Sequence, residues 1–181
     1  MADIISPPES GREAPGAAPL SEQDTVALIE LMFFAYRDFV SDPDEILGQF
    51  GFGRAHHRVL HFVGRDPGMT VQQLLDILRI TKQSLARVLK ELIDKGYVYQ
   101  KEGEHDRRQR LLFLTAAGEG LRQRLMRPQI DRIRRAVAAP GGGTAAVFRK
   151  LLYHMVSPQN REAVRGWIER ACLLGDEGSR G

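Results

Sequence analysis

The 181-residue chain has a single cysteine, Cys172, and a single tryptophan, Trp167. A lone cysteine closes no internal disulfide, so a reducing, cytoplasmic setting is expected. No apolar run approaches the ~20 residues needed to cross a bilayer, so no membrane partner is expected. The N-terminal residues are acidic and rich in Pro, Gly and Ala, unlike a secretory signal. Enzyme signatures are missing too. There is no P-loop, no GxSxG and no HExxH, and HHRVLH at 56–61 lacks the glutamate of a zinc-protease helix. No carboxylates are paired at a suggestive spacing. Neither an enzyme nor a cofactor is expected, although a helical scaffold that only binds a small molecule stays open.

What is present is an ordinary soluble composition, 43% hydrophobic and 27% charged, with the charge unevenly placed. Residues 1–53 carry 2 basic and 10 acidic side chains; residues 54–135 carry 18 and 9. A basic middle points to a polyanionic partner, nucleic acid being the common case, though a solvated basic surface would look the same. The acidic stretch 21–45 and the basic lobe are expected to pair electrostatically.

Residues 1–20, with two proline clusters and no periodicity, read as a disordered tail. Ser21, with Asp24 three residues on, offers a cap for a helix running to about Val40. That helix is apolar on more than one side. Val26, Ile29, Phe33, Tyr36 and Val40 form one stripe; Leu28, Leu31, Met32 and Phe39 lie beside or behind it. Such a helix needs cover on both faces, one from its own domain and one from a second chain. SDPDE (41–45) and GFG (51–53) bracket a connection. Helical spacing then covers about 54–64, 70–78 (opened by the capping pair Thr70 and Gln73) and 81–95. Gly96 ends the last of these. YVYQKE (97–102) and RLLFLT (110–115) change to strand character, joined by a charged tip into a hairpin. Further helices are expected over 118–137, 144–155 and 159–173, with PGGG (140–143) as a break.

Helix, short helix, turn, helix and hairpin is the order of a winged helix-turn-helix. With Leu85, Val88, Leu89 and Leu92 inward, the helix 81–95 turns Gln83, Arg87 and Lys90 outward, and Lys82 and Ser84 sit in its first turn. These side chains suit base edges and phosphates in a major groove, or else a plain solvated face. The hairpin tip favours the first reading. Arg107, Arg108 and Arg110 are costly to gather unless phosphates sit beside them, and a tip arginine fits a narrow minor groove. Asp106 can fix one guanidinium as a brace and leave another as the reader.

The wing pattern D-R-R-x-x-x-x-x-L-T-x-x-G, here Asp106, Arg107, Arg108, Leu114, Thr115 and Gly118, resembles the wing of MarR-family transcription regulators. TVQQLLDILRITKQSLARVLKELIDKGYV (70–98) is similar to the same family's helix-turn-helix, and the match covers about residues 21–156. The resemblance implies a mainly α fold with a small β-hairpin wing, flanked by N- and C-terminal dimerisation helices. It implies domains at 21–53 (dimerisation helix and connection), 54–117 (DNA binding) and 118–175 (C-terminal dimerisation), with a flexible tail at 176–181. Arg107 would enter the minor groove, Arg108 would brace the wing with Asp106, and Thr81 to Ser84 with Arg87 would contact DNA. The implied partners are double-stranded DNA carrying an inverted repeat, a second copy of the chain, and a small-molecule effector in the dimer cleft. A winged-helix protein-interaction module without DNA binding is the rival reading. The helix 159–173 departs from the family's usual ending.

Three further positions invite a role. His57 and His61, four apart on one helix, could line a ligand cleft, hold a metal or simply be exposed; no third metal ligand stands near them. His56 lies nearer the core face and reads as structural. Cys172 could sense oxidants, with Arg170 as its nearest cation. The peroxide-responsive branch of the family, however, usually carries its reactive cysteine near the first helix, where this chain has none. Trp167 and Tyr153 read as packing.

Overall fold

A computed structural model describes residues 19–103, 109–139 and 143–177, of which 170–177 are described as helix only. The element order is α1 (Glu22–Gly48), α2 (Arg54–Arg65), β1 (Met69–Thr70), α3 (Val71–Leu78), α4 (Lys82–Asp94), β2 (Val98–Glu102), β3 (Arg110–Leu114), α5 (Ala116–Ala138), α6 (Thr144–Met155) and α7 (Pro158–Glu177). They fall into two compact units. Of the described residues, one unit holds those within 39–142; the other holds those up to Asp38 together with those from Gly143 on.

Hydrophobic periodicity builds the 39–142 unit. Val59, Leu60 and Val63 of α2, Leu74 and Leu78 of α3, and Leu85, Val88, Leu89 and Leu92 of α4 are all buried. Each set repeats at three- and four-residue spacing, so each helix presents one apolar stripe to a shared core. Leu121 and Leu125 of α5 close that core. Side chains at the helix starts satisfy the free amides. Thr70 accepts from the Gln73 amide at 3.2 Å while the Gln73 side chain accepts from the Thr70 amide at 2.7 Å, a reciprocal capping box. Thr81 caps α4 through the Ser84 amide at 3.1 Å, and Thr115 caps α5 through the Gly118 amide at 3.0 Å. In the wing signature, then, Leu114 is the last strand residue and Thr115 the first cap.

The sheet order is β1-β3-β2, antiparallel throughout. Val98 faces Leu114, Gln100 faces Leu112 and Glu102 faces Arg110 on the side that buries Val98 and Leu112. Gly118 sits so close under the hairpin that a Cβ there would lie 2.0 Å from the Tyr97 carbonyl oxygen.

The structure departs from the sequence reading at the connection 41–45. Residues 41–45 are helical, and α1 runs on through Pro43 to Gly48. Pro43 has no N–H to give the Phe39 carbonyl, a loss that normally ends or bends a helix. Here Gln129 of α5, itself buried, donates its side-chain amide to that carbonyl at 3.2 Å. Arg132 of α5 reaches Asp42 at 2.9 Å one turn along, and Arg54 grips Asp44 through Nε and a terminal nitrogen at 2.9 and 2.7 Å. The acidic end of α1 is thus held by basic side chains from α5 and α2.

In the other unit, Ser21 caps α1 by accepting from the Asp24 amide at 3.1 Å and donating to its carboxylate at 2.6 Å. The first half of α1 leaves its large apolar side chains uncovered: Leu31 is 62% and Phe33 69% exposed. On α6, Val147 and Leu151 are likewise open. The last helix is longer than its pattern suggested, reaching Glu177.

Candidate nucleic-acid interface

Helix α4 and the wing frame the candidate interface. Burial of the Leu85, Val88, Leu89 and Leu92 stripe leaves Thr81, Lys82, Gln83, Ser84, Arg87 and Lys90 exposed. All six sequence-predicted positions on this helix therefore face solvent, but they are not equivalent. The Thr81 hydroxyl is committed to capping and also donates to Ser84 Oγ at 2.9 Å. Lys90 is paired with Asp94 at 2.5 Å, one turn on. Lys82, Gln83 and Arg87 are exposed and outside these pairings, which leaves these three the most available for an outside polyanion.

Between α3, α4 and the wing lies an open cleft of about 730 Å³. Its floor is apolar, with Leu75, Leu89 and Ile93, and Lys82, Lys90 and Arg110 stand on its rim. Arg110 opens β3 and lies against Glu102 across the strand pair at 3.1 Å. Gln72 and Gln100 also line this cleft, and the sequence reading passed over both. Strand alternation held the signal for Gln100, which continues the face on which Val98 is buried. The wing tip, with Asp106, Arg107 and Arg108, lies outside the described residues, as do the side chains of Arg170 and Cys172.

His57 and His61 fall on the flank of α2 and are half-buried. His57 Nε2 and His61 Nδ1 are out of contact with solvent and have no hydrogen-bond partner among the described residues. Burial lowers the His57 pKa, with Asp44 opposing the shift. Burial also lowers that of His61, aided by His57, Arg122 and Arg65, to about 4. Both rings are therefore neutral near pH 7. Arg122 is itself engaged, gripping Glu119 at 2.7 and 2.6 Å and holding that carboxyl below its ordinary range. Among the described residues no group of three His, Cys, Asp or Glu side chains is placed to hold a metal ion. Among the same residues no helix is long and apolar enough to cross a membrane.

A family model described as MarR family matches residues 50–109, the stretch from the end of α1 to the hairpin tip. A curated relative, the HTH-type transcriptional regulator PetP of Rhodobacter capsulatus, is 50% identical over 133 residues, covering 74% of this chain and 80% of PetP. The chain belongs to the MarR family of transcriptional regulators. Solved structures agree on the fold. FabT of Streptococcus pneumoniae, solved with DNA, superposes with a TM-score of 0.66 at 20% identity, covering 73% of this chain and 94% of FabT. A single-site mutant of MarR from E. coli, solved with operator DNA, gives 0.57 at 19% identity, covering 75% and 97%. NadR, solved with 4-hydroxyphenylacetate, gives 0.59 at 20% identity, covering 82% and 99%.

Proposed function

We propose that this MarR-family regulator binds double-stranded DNA sequence-specifically as a homodimer on an inverted repeat. The observation that carries the reading is the split character of α4: four apolar side chains hold it against the core while Gln83, Ser84 and Arg87 stand exposed on its outer side. Gln83 is suited to adenine and Arg87 to guanine or phosphate. Lys82 and the cationic rim of the cleft suit the flanking phosphate backbone, Arg107 the adjacent minor groove, and Arg108 with Asp106 the bracing of the tip. FabT and MarR, whose structures hold DNA, support the same use of the fold.

The second copy is called for by the uncovered apolar side chains of α1 and α6, which a lone chain would present to water. A two-fold dimer would set its recognition helices about 34–36 Å apart, one turn of duplex, so the target should be an inverted repeat. The nitrogens of His57 and His61 that lack a hydrogen-bond partner among the described residues support these two residues as contacts for a small effector, the ligand class seen with NadR. Such a ligand alters DNA binding only as far as it favours one of two states of the protein. Selection from a random duplex library tests the reading: recovery of an inverted repeat with half-sites one turn apart is expected, and binding that stays indifferent to sequence overturns it. Sedimentation at micromolar concentration should show a dimer, and a monomer there would remove the two-fold argument.

A further inference from the structure

Four buried apolar side chains decide which face of α4 turns inward, and a directional polar contact can sharpen that setting. One polar tie is directional. His56, at the start of α2, is 8% exposed and its Nε2 lies 2.9 Å from Oε2 of Glu91 on α4. On its other side, Nδ1 accepts the Gly53 amide at 3.1 Å. Because Nδ1 is an acceptor, the ring is the neutral tautomer with its proton on Nε2, and that proton points at the Glu91 carboxylate. Phe52 stacks on the same ring at a centroid distance of 4.5 Å, fixing its plane. A second tie lies just past the end of α4. Lys95 donates to the Phe50 carbonyl at 2.6 Å and sits 4.5 Å over the Phe52 ring. The connection after α1 and the start of α2 are thus tied to the C-terminal end of α4 at two points.

The position of Glu91 gives the tie its meaning. Ser84, Arg87 and Glu91 are spaced three and four apart, so they lie along one line of the helix surface. One end of that line faces the proposed DNA target; the other end is held by His56. With side-chain tips about 5–6 Å from the axis, a 10° rotation moves each by about 1 Å, enough to spoil a bidentate base contact. We propose that His56 is a positioning residue for DNA recognition, setting the rotation of α4 through Glu91 so that Ser84 and Arg87 meet the base edges in register.

The inference rests on the DNA-binding reading, and its test separates the two. His56→Asn keeps an acceptor near Gly53 but is too short to reach Glu91; Glu91→Leu removes the acceptor from the other side; Glu91→Gln retains one. Each full-length variant is measured for affinity to the library-selected duplex and to a scrambled duplex across a range of salt. His56→Asn and Glu91→Leu are expected to lower the ratio of the two affinities about tenfold, as for loss of a hydrogen bond to a charged group. The double variant should be no worse than either single one, Glu91→Gln should keep the wild-type ratio, and the salt slope on either duplex should not change. A wild-type ratio in both His56→Asn and Glu91→Leu overturns this proposal and leaves DNA binding standing. Equal losses on both duplexes also overturn it, because they mark general unfolding. A wild-type protein with no preference for the selected duplex overturns the underlying reading instead.

Discussion

Lowering the pH should destabilise the fold through His61, and the size of the effect follows from its surroundings. The ring is buried, its Nδ1 has no partner among the described residues, and His57, Arg122 and Arg65 oppose a positive ring, so its pKa falls from the ordinary 6.5 to about 4. In the unfolded chain the ring titrates near 6.5. Between those values the unfolded state holds a proton that the folded state refuses. The stability is therefore fully present above about pH 6.5 and is lost as the pH falls toward 4. Linkage over that interval costs about 0.2 kcal/mol at pH 7 and about 2 kcal/mol at pH 5, a loss of roughly 2 kcal/mol. His57 is shifted the same way and adds to it. Glu119, held low by Arg122, adds a smaller loss of the same sign at the acid end of this window, where the unfolded carboxyl begins to take up a proton that the folded one refuses. Urea unfolding followed by circular dichroism, at one protein concentration and at about pH 7, 6 and 5, measures the loss. The same series on His61→Phe should be flatter by about the same 2 kcal/mol. Equal stability of the wild type at the two ends, or an unchanged slope in His61→Phe, would refute the reasoning.

Three other outcomes follow from the geometry. Gln129→Leu leaves the Phe39 carbonyl without a donor and should cost about 1–3 kcal/mol in the same urea assay. Gly118→Ala drives a methyl into the Tyr97 carbonyl and should cost about 3 kcal/mol or more, with weakened protection of the hairpin amides in hydrogen exchange. Arg107→Ala should weaken binding to the selected duplex by about 1–3 kcal/mol while leaving the unfolding midpoint unchanged; wild-type affinity would remove Arg107 from the proposed contacts.

The helix-turn-helix was legible because its information is local. The stripe Leu85, Val88, Leu89, Leu92 and the caps Thr70 and Thr81 each lie within one or two turns of the residues they organise. β1 was not legible. Two residues, Met69 and Thr70, carry no period of their own and are a strand only because Leu112 and Leu111 lie opposite. The passage of α1 through Pro43 was hidden for the same reason: its compensation comes from a residue far along the chain. At the interface, solvent exposure of the α4 positions followed from the stripe, but the pairing of Lys90 with Asp94 and of Arg110 with Glu102 did not. Those acids were visible in the sequence; which rotamers bring them to the bases was not.

That distant compensation also sets an order on synthesis. A ribosome makes Pro43 well before it makes Gln129, and through that interval the Phe39 carbonyl lacks the donor that serves it in the folded chain. The lower half of the first helix therefore becomes secure late, once the fifth helix has left the exit tunnel, so a truncated N-terminal fragment would carry that helix with its middle rung missing.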